Sequence, residues 1–256
     1  MVSIISTPKK SLFHYAHFII DCLYPEIIND VYKYEKVFRI KNIEQTIGNF
    51  KNVYEEIMQI ESIELPNNIF LELKNKIIKI PIRESYVELQ YMNKFRNYIF
   101  SRYNIDPLVY NIDYPEVLLI KRGKRIELIN DSDLKKINNN ISNGSERREI
   151  KDINIIEEYL QTKYSNKFKS VFLECMPFNE QVKLFNNAKL IILAHGAAMS
   201  NMFFCKKNTT ILEVTCNTIW PFFDIISKNL ELNHIKINKN ESDHIIQILS
   251  ELNKLF

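Results

Sequence analysis

The chain has 256 residues, of which 46% are hydrophobic and 25% are charged, and its formal net charge is +3. This length can bury an ample core in two small domains or in one large domain. The mild charge, without a long basic run, argues against a nucleic-acid-binding protein. The cysteines are far apart and lack metal-ligand spacing, so we expect free thiols at Cys22, Cys175, Cys205 and Cys216.

The hydropathy and the N-terminal sequence bear on where the protein is found. The N-terminus shows no signal-peptide pattern, and no apolar run is long enough to span a bilayer. We therefore expect a soluble, cytoplasmic protein with no integral membrane segment.

The first informative segment, residues 11–31, is predicted to form an amphipathic helix. His14, His17 and Asp21 follow one another at steps of three and four residues, so they lie on one helical face. A polar row of this kind is often only the solvated side of a first helix. It also suits catalysis, because an aspartate held near a histidine at a cleft can take a proton from a hydroxyl group.

The remainder of the N-terminal half alternates between strand and helix patterns. Strands are predicted at 34–40 and 76–80, with a helix at 44–60 between them and a long helix at 86–103. Residues 104–115 contain two prolines and several polar residues, which favours a linker. The sequence therefore predicts a small α/β unit up to this point.

A buried strand predicted at 116–120 leads into a basic loop that contains a glycine, residues 121–125. Arg122 and Arg125 could clamp a diphosphate there, because arginine forms bidentate charged hydrogen bonds. A solvated turn is the alternative interpretation. A helix is predicted to start at Asp131, followed by a polar loop at 139–152 and a helix at 153–163.

The central stretch, residues 171–215, predicts strands and short helices in alternation. Apolar runs at 170–174, 190–193 and 210–214 have the composition of strands, and residues 180–186 fit a one-sided helix. This alternation favours a parallel sheet, in which ligands bind at the carboxyl ends of the strands. Residues 195–198 and Glu213 should lie at that edge. A helix at 222–230, a strand at 234–237 and a helix at 242–256 follow.

The turn His195-Gly196-Ala197-Ala198 has chemistry of its own. Its small residues leave the backbone N–H groups at the start of the next helix open to an anion such as phosphate. His195 could donate a hydrogen bond to the same group. Taken alone, the turn could equally be a tight packing feature.

Three sets of residues together resemble glycosyltransferase family 61. The family pattern has an acidic residue after a strand, then F-x-E-Q, A-K-x-I-I, H-G-A-x-x-x-N and a strand ending in E. This chain carries, in that order, Glu174, Phe178, Glu180, Gln181, Ala188, Lys189, His195, Gly196, Ala197, Asn201 and Glu213. The family's N-terminal F-x-H-x-x-x-D-x-L-x-P is matched by His17, Asp21, Leu23 and Pro25, whereas Tyr15 replaces the Phe.

The third set is a looser match. The family has R-x-x-x-R and then N-E-x-E-L after the first strand of its second domain, and residues 130–134 (NDSDL) approximate the second part. Arg125 fits the second Arg if Lys121 holds the first position, whereas Arg122 is off by one residue.

The resemblance implies an α/β fold of the GT-B type, with two small Rossmann-like domains that face each other. Residues 1–110 would form the acceptor-side domain and residues 111–256 the nucleotide-sugar-binding domain, with the last helix able to pack back on the first domain. It further implies an inverting transfer from a UDP-sugar, GlcNAc- or xylose-like, to a hydroxyl of a glycan or protein acceptor. The UDP-sugar is then a co-substrate, and neither a metal ion nor another cofactor is expected.

The same resemblance assigns roles to individual residues. Asp21 and His17 would be catalytic, with Asp21 as the favoured base and His17 as its rival. The donor-binding residues would be Arg122, Arg125, Glu174, Gln181, His195, Gly196, Ala197, Ala198, Asn201 and Glu213. A non-catalytic sugar-binding or scaffold protein is the main alternative. A nucleotide-dependent oxidoreductase is disfavoured, because the chain has no G-x-G-x-x-G.

Overall fold

A computed structural model describes residues 2–6, 11–43, 45–72, 77–81, 83–124, 127–137, 149–215, 220–238 and 243–255. The chain divides into two compact units. The N-terminal unit comprises residues 1–104 and 126–142, and the C-terminal unit comprises residues 105–125 and 143–256. Each unit contains a parallel sheet with helices, so the predicted α/β class is confirmed.

The N-terminal unit has a four-stranded parallel sheet in the order β3-β2-β1-β4. Its strands are β1 (Val2–Ser6), β2 (Lys36–Ile40), β3 (Glu61–Leu65) and β4 (Ile77–Lys79). Its helices are α1 (residues 15–28), α2 (Lys51–Met58), α3 (Asn67–Glu72), α4 (Leu89–Arg102) and α5 (Ser132–Ile137), with 3₁₀ turns at Val31–Lys33, Gly48–Phe50 and Arg83–Ser85.

Helix α1 is not regular along its length. It consists of Tyr15–His17 in α geometry, Phe18–Leu23 in π geometry and Tyr24–Ile28 in α geometry. π-Helical turns are rare and occur frequently at functional sites. Farther along, Glu26 is fully buried and accepts two hydrogen bonds of 2.9 Å from Arg39 of β2. This buried ion pair ties the end of α1 to the sheet.

The C-terminal unit has a five-stranded parallel sheet in the order β6-β5-β7-β8-β9. Its strands are β5 (Val117–Lys121), β6 (Phe168–Phe172), β7 (Leu190–Ala194), β8 (Thr210–Thr215) and β9 (Asn233–Asn238). Its helices are α6 (Ile153–Tyr164), α7 (Phe178–Asn187), α8 (Pro221–Asn229) and α9 (His244–Lys254), with 3₁₀ segments at Ser165–Lys167 and Ala197–Phe204.

The central strands of this second sheet are buried along their length. All five residues of β7 and the first five of β8 are buried, as continuous apolar strands are when helices cover both faces of a parallel sheet. One core cluster joins β5, β7 and β8 to α6 and α9 through residues such as Ile192, Leu160 and Ile248. The sequence patterns predicted these strands more directly than the other strands.

The strand order reverses once in each sheet. In the C-terminal unit the chain runs from β5 to β6 on one side and then returns to β7 on the other side of β5. In the N-terminal unit it runs from β1 through β2 to β3 and then returns to β4 on the other side of β1. At such switch points the loops leave the sheet in opposite directions, which opens a crevice at the carboxyl ends of the two strands.

The units differ in two segments from the division expected at residue 110. Residues 105–110 lie with the C-terminal unit, because buried Lys206 donates to the Val109 carbonyl at 2.9 Å and lies 3.9 Å from the Tyr110 ring centroid. Residues 126–142 lie with the N-terminal unit, where Leu128 packs against Phe13. Neither contact could be inferred from local sequence patterns.

Other differences concern single elements. The sequence patterns missed β1, β3 and α3. The helix expected at 44–60 is shorter, Lys51–Met58, since a 3₁₀ turn at Gly48–Phe50 precedes it and Gln59 ends it in a left-handed conformation with φ 56°. The last helix, α9, packs on α6 within the C-terminal unit, where Tyr159 donates to Asn253 at 2.6 Å. Among the described residues, no helix is both long and apolar enough to cross a membrane.

Candidate active site

A buried polar cluster of the C-terminal unit surrounds the carboxylate of Glu213 on β8. His195, directly after β7, places its Nδ1 against Oε1 of Glu213, and His234 on β9 places its Nε2 at 2.7 Å from Oε2. All three side chains are at most 6% exposed. Because a carboxylate only accepts hydrogen bonds, both histidine nitrogens that face it carry protons.

The charge of Glu213 is stabilised within this cluster. Burial alone would raise the pKa of its carboxyl, but the hydrogen bonds from His195 and His234 outweigh burial and lower the pKa to about 2. On the far side of His234, Nδ1 lies 3.3 Å from Ser227 Oγ and 3.5 Å from a carboxylate oxygen of Asp224. A polar chain thus runs from the end of β7 across two strands to α8.

The turn after β7 is fixed at its start by hydrogen bonds to β8, and its two alanines are partly exposed. The backbone N–H of His195 donates to the Val214 carbonyl at 2.9 Å, and the His195 side chain is buried. Ala197 and Ala198 are partly exposed and begin the 3₁₀ segment, whose first N–H groups precede the intrahelical hydrogen bonds. The two alanines, rather than the imidazole, are therefore the accessible part of this turn.

Gln181 and Asn201 support the loop that carries Glu174. The Asn201 amide donates to Gln181 Oε1 at 3.1 Å, and Gln181 donates in turn to the carbonyls of Leu173 and Met176 at 3.1 and 3.0 Å. Both side chains are buried and engaged within the protein. The two side chains therefore hold this loop in place, and their predicted contact with the donor stays a prediction.

Glu174 reaches across to the basic loop after β5. Its Oε1 accepts a hydrogen bond of 2.7 Å from the backbone N–H of Gly123. A Cβ atom at Gly123 would lie 2.8 Å from the other carboxylate oxygen, so any larger residue there would make the Glu174 side chain shift. The loops after β5 and β6 are thereby joined at the edge of the sheet.

A cavity of about 190 Å³ lies at the carboxyl ends of β5, β6 and β7, at the switch point of this sheet. It is lined by Ile120, Lys121, Arg122, Gly123, Lys124, Glu149, Ile150, Ile153, Phe172 and Ala194. Lys121 is paired with Glu157 at 3.0 Å. Arg122, a predicted donor residue, lines the cavity, whereas Arg125 lies outside the described residues.

A second polar cluster of the N-terminal unit, besides the Glu26–Arg39 pair, surrounds Asp21 in the π-helical part of α1. Arg83, which follows β4, donates from Nη1 to both carboxylate oxygens at 2.7 and 2.8 Å. His17 Nδ1 lies 2.5 Å from Oδ2 of the same carboxylate. The Asp21 side chain is only 3% exposed, whereas that of His17 is 36% exposed. Nearby, burial and the charge of His17 lower the pKa of His14.

This cluster also lies at a switch point. Its helix follows β1 and its arginine follows β4, the two neighbouring strands between which the order reverses. A second cavity, of about 460 Å³, lies in the same unit. It is lined by Lys41, Thr46, Gly48, Asn49, Lys51, Glu61, Ile63, Glu64, Ile129, Asn130 and Asp131.

Comparison with known proteins identifies the family. The sequence matches the family model described as Glycosyltransferase 61 over residues 15–212, which is more than half of the chain. The chain belongs to glycosyltransferase family 61. This membership implies glycosyltransferase activity, with a sugar donor and an acceptor as partners. No curated protein matches the sequence.

Each of the two polar clusters contains a residue that the sequence analysis did not assign to it. Arg83 holds Asp21, and His234 holds Glu213. His234 has no polar partner nearby in sequence that would assign it to a site. Only the pairing of β9 with β8 brings it to Glu213, and only the pairing of β4 with β1 brings Arg83 to α1. No motif signals either contact.

Replacing Glu213 with Gln should destabilise the protein at neutral pH far more than in acid. The carboxyl has a pKa of about 2 in the folded protein, against 4.5 as its ordinary value. Its stabilising contribution is therefore fully present above about pH 5 and is lost as the pH falls through the folded pKa. We expect Glu213→Gln to cost roughly 2–3 kcal/mol at pH 7, measured as the free energy of unfolding in urea.

The matched control is Glu231→Gln, since Glu231 is 61% exposed and pairs only at the surface with Lys207. The measurements run from pH 7 to the lowest pH at which the wild type stays folded. A stability difference between wild type and Glu213→Gln that stays constant with pH would contradict an ionised carboxylate held by the two histidines.

Proposed function

We propose that the protein transfers a sugar, GlcNAc- or xylose-like, from a UDP-sugar to a hydroxyl of a glycan or glycoprotein acceptor. The transfer inverts the anomeric configuration and needs no metal ion. One observation carries the donor half of this proposal. At the switch point of the C-terminal sheet, a cavity lined by a basic loop adjoins a turn whose two alanines are partly exposed and begin a 3₁₀ segment.

The donor diphosphate would bind at this edge of the sheet. Arg122 and Lys124 line the cavity, and arginine can hold two phosphate oxygens at once. The N–H groups of Ala197 and Ala198 add dipoles that favour an anion. In place of a divalent ion, these fixed positive charges and dipoles would stabilise the departing diphosphate. His195 and Glu213 would not contact the diphosphate themselves but would hold the turn in place.

The catalytic base would come from the N-terminal unit, and the geometry favours His17 over Asp21. Both oxygens of Asp21 accept hydrogen bonds from Arg83, and its side chain is 3% exposed, so an acceptor hydroxyl has little access to it. His17 is more exposed and presents Nδ1 to Asp21. The carboxylate thus keeps the proton on Nδ1 and leaves Nε2 as the base, the arrangement found in catalytic triads.

The acceptor would bind in the same unit. The cavity of about 460 Å³ mixes Lys, Glu, Asp, Asn and Thr side chains, so it offers both donors and acceptors to sugar hydroxyls. Lys41 and Asp131, paired at 2.8 Å, line it together, as do Thr46 and Glu64, hydrogen-bonded at 2.5 Å. With the donor in one unit and the acceptor in the other, we propose a GT-B arrangement of the two units.

UDP should bind the protein in the presence of a chelator, and Arg122→Ala should weaken that binding about ten-fold or more. The reason is that a charge-assisted hydrogen bond contributes ~1.5–3 kcal/mol. Isothermal titration calorimetry with UDP in EDTA measures both effects. Arg102→Ala, at the end of α4 in the other unit, is the matched control.

Two results would contradict the donor site. Loss of all UDP binding in EDTA would show that binding requires a metal ion. An unchanged UDP affinity of Arg122→Ala would show that Arg122 does not contact the donor. Hydrolysis of a panel of UDP-sugars then identifies the donor. Tight UDP binding without hydrolysis or transfer of any donor would favour a non-catalytic sugar-binding protein.

Chemical rescue should distinguish the two candidate bases. General-base catalysis contributes ~10²–10⁴-fold, so His17→Ala should lose about that factor in kcat while UDP affinity stays near wild type. Added imidazole should restore part of the activity of His17→Ala but none of that of Asp21→Ala. Rescue of Asp21→Ala by formate, with no imidazole rescue of His17→Ala, would make Asp21 the base.

A further inference from the structure

His234 forms a hydrogen bond with the second carboxylate oxygen of Glu213, whereas His195 bonds to the first. The residue lies on β9, whose register pairs it with Ile211 of β8, two positions before Glu213. Its side chain is 6% exposed, and its Nε2 lies 2.7 Å from Oε2. The family match ends at residue 212, so His234 lies beyond it.

The carboxylate of Glu213 needs both of its partners. Its side chain is 3% exposed, so water cannot readily replace a lost hydrogen bond. With His195 on one oxygen and His234 on the other, the plane of the carboxylate is fixed. A buried carboxylate with one bare oxygen would turn or shift to find a new donor, since leaving a charged group unsatisfied is costly. Any such shift moves the acceptor that holds the His195 ring.

We propose that His234 is a positioning residue for donor binding: through Glu213 and His195 it fixes the turn whose amides receive the donor diphosphate. This inference rests on the proposed function, because it takes residues 195–198 as part of the UDP site. His234 is itself fixed from behind, where Nδ1 faces Ser227 Oγ at 3.3 Å and Asp224 at 3.5 Å. Asp224 also pairs with Lys236 at 2.5 Å. The support therefore extends to α8.

Two variants separate positioning from packing. In His234→Gln, the side-chain amide can place its NH₂ near the position of the imidazole Nε2 and donate to Glu213. In His234→Leu, an apolar side chain fills the buried space but donates nothing. If His234 only fills space, Leu serves as well as Gln; if it holds Glu213, only Gln serves.

The test measures UDP affinity by calorimetry in the full-length chain, after urea unfolding has shown that each variant is folded. We expect His234→Leu to bind UDP about ten-fold more weakly than wild type and His234→Gln to stay within about three-fold. Equal affinities for wild type and His234→Leu would overturn the inference. So would equal losses in His234→Leu and His234→Gln.

A second readout needs no ligand. The chain has five histidines, and the Nδ1 proton that His195 donates to Glu213 should give a downfield imidazole resonance, assigned by its loss in His195→Gln. It should shift in His234→Leu and stay near its wild-type position in His234→Gln. If wild type binds no UDP, the proposed function fails, and the donor role of His234 with it. If wild type binds UDP but this resonance is the same in His234→Leu, the inference alone fails.

Discussion

The parallel pairing of the strands is the constraint on which both candidate sites depend. When all strands of a sheet run in one direction, their carboxyl ends share one edge, and a single reversal of strand order opens a crevice at that edge. Each unit has one such reversal, between β5 and β7 and between β1 and β4. The basic loop and the small-residue turn follow the first pair, and Asp21 with Arg83 follows the second. Residues distant in sequence meet because of this topology.

A buried carboxylate with partners on two sides recurs in both units. Glu213 is held between two histidines, and Asp21 between Arg83 and His17. His195 lies directly after the central strand β7, and His17 lies in the helix that follows the central strand β1. The difference is exposure, since His17 is 36% exposed and His195 only 5%. This difference suits a histidine that meets an acceptor hydroxyl in one unit and a histidine that supports a turn in the other.

The sequence predicted what local patterns can encode. β7 and β8 were predicted because buried parallel strands are continuous apolar runs. His195 was placed at the same edge because it follows β7, and Glu213 because it lies near the end of β8. β3 was missed because its residues, ESIEL, include only two apolar side chains and bury the polar Ser62, so they lack a clear strand pattern. The return of residues 126–142 to the N-terminal unit depends on packing against Phe13. The contacts of Arg83 and His234 depend on strand adjacency, which no local pattern specifies.

The alanine methyl groups offer the most direct test of where the donor binds. The chain has only five alanines, Ala16, Ala188, Ala194, Ala197 and Ala198. The last three lie at the carboxyl end of β7, whereas Ala188 precedes that strand and Ala16 is in α1 of the other unit. In a titration with UDP in EDTA, followed by NMR of methyl-labelled alanines, we expect the signals of Ala194, Ala197 and Ala198 to shift while Ala16 and Ala188 stay in place. Shifts confined to Ala16 or Ala188, or no shifts under saturating UDP, would contradict a donor site at this edge of the sheet.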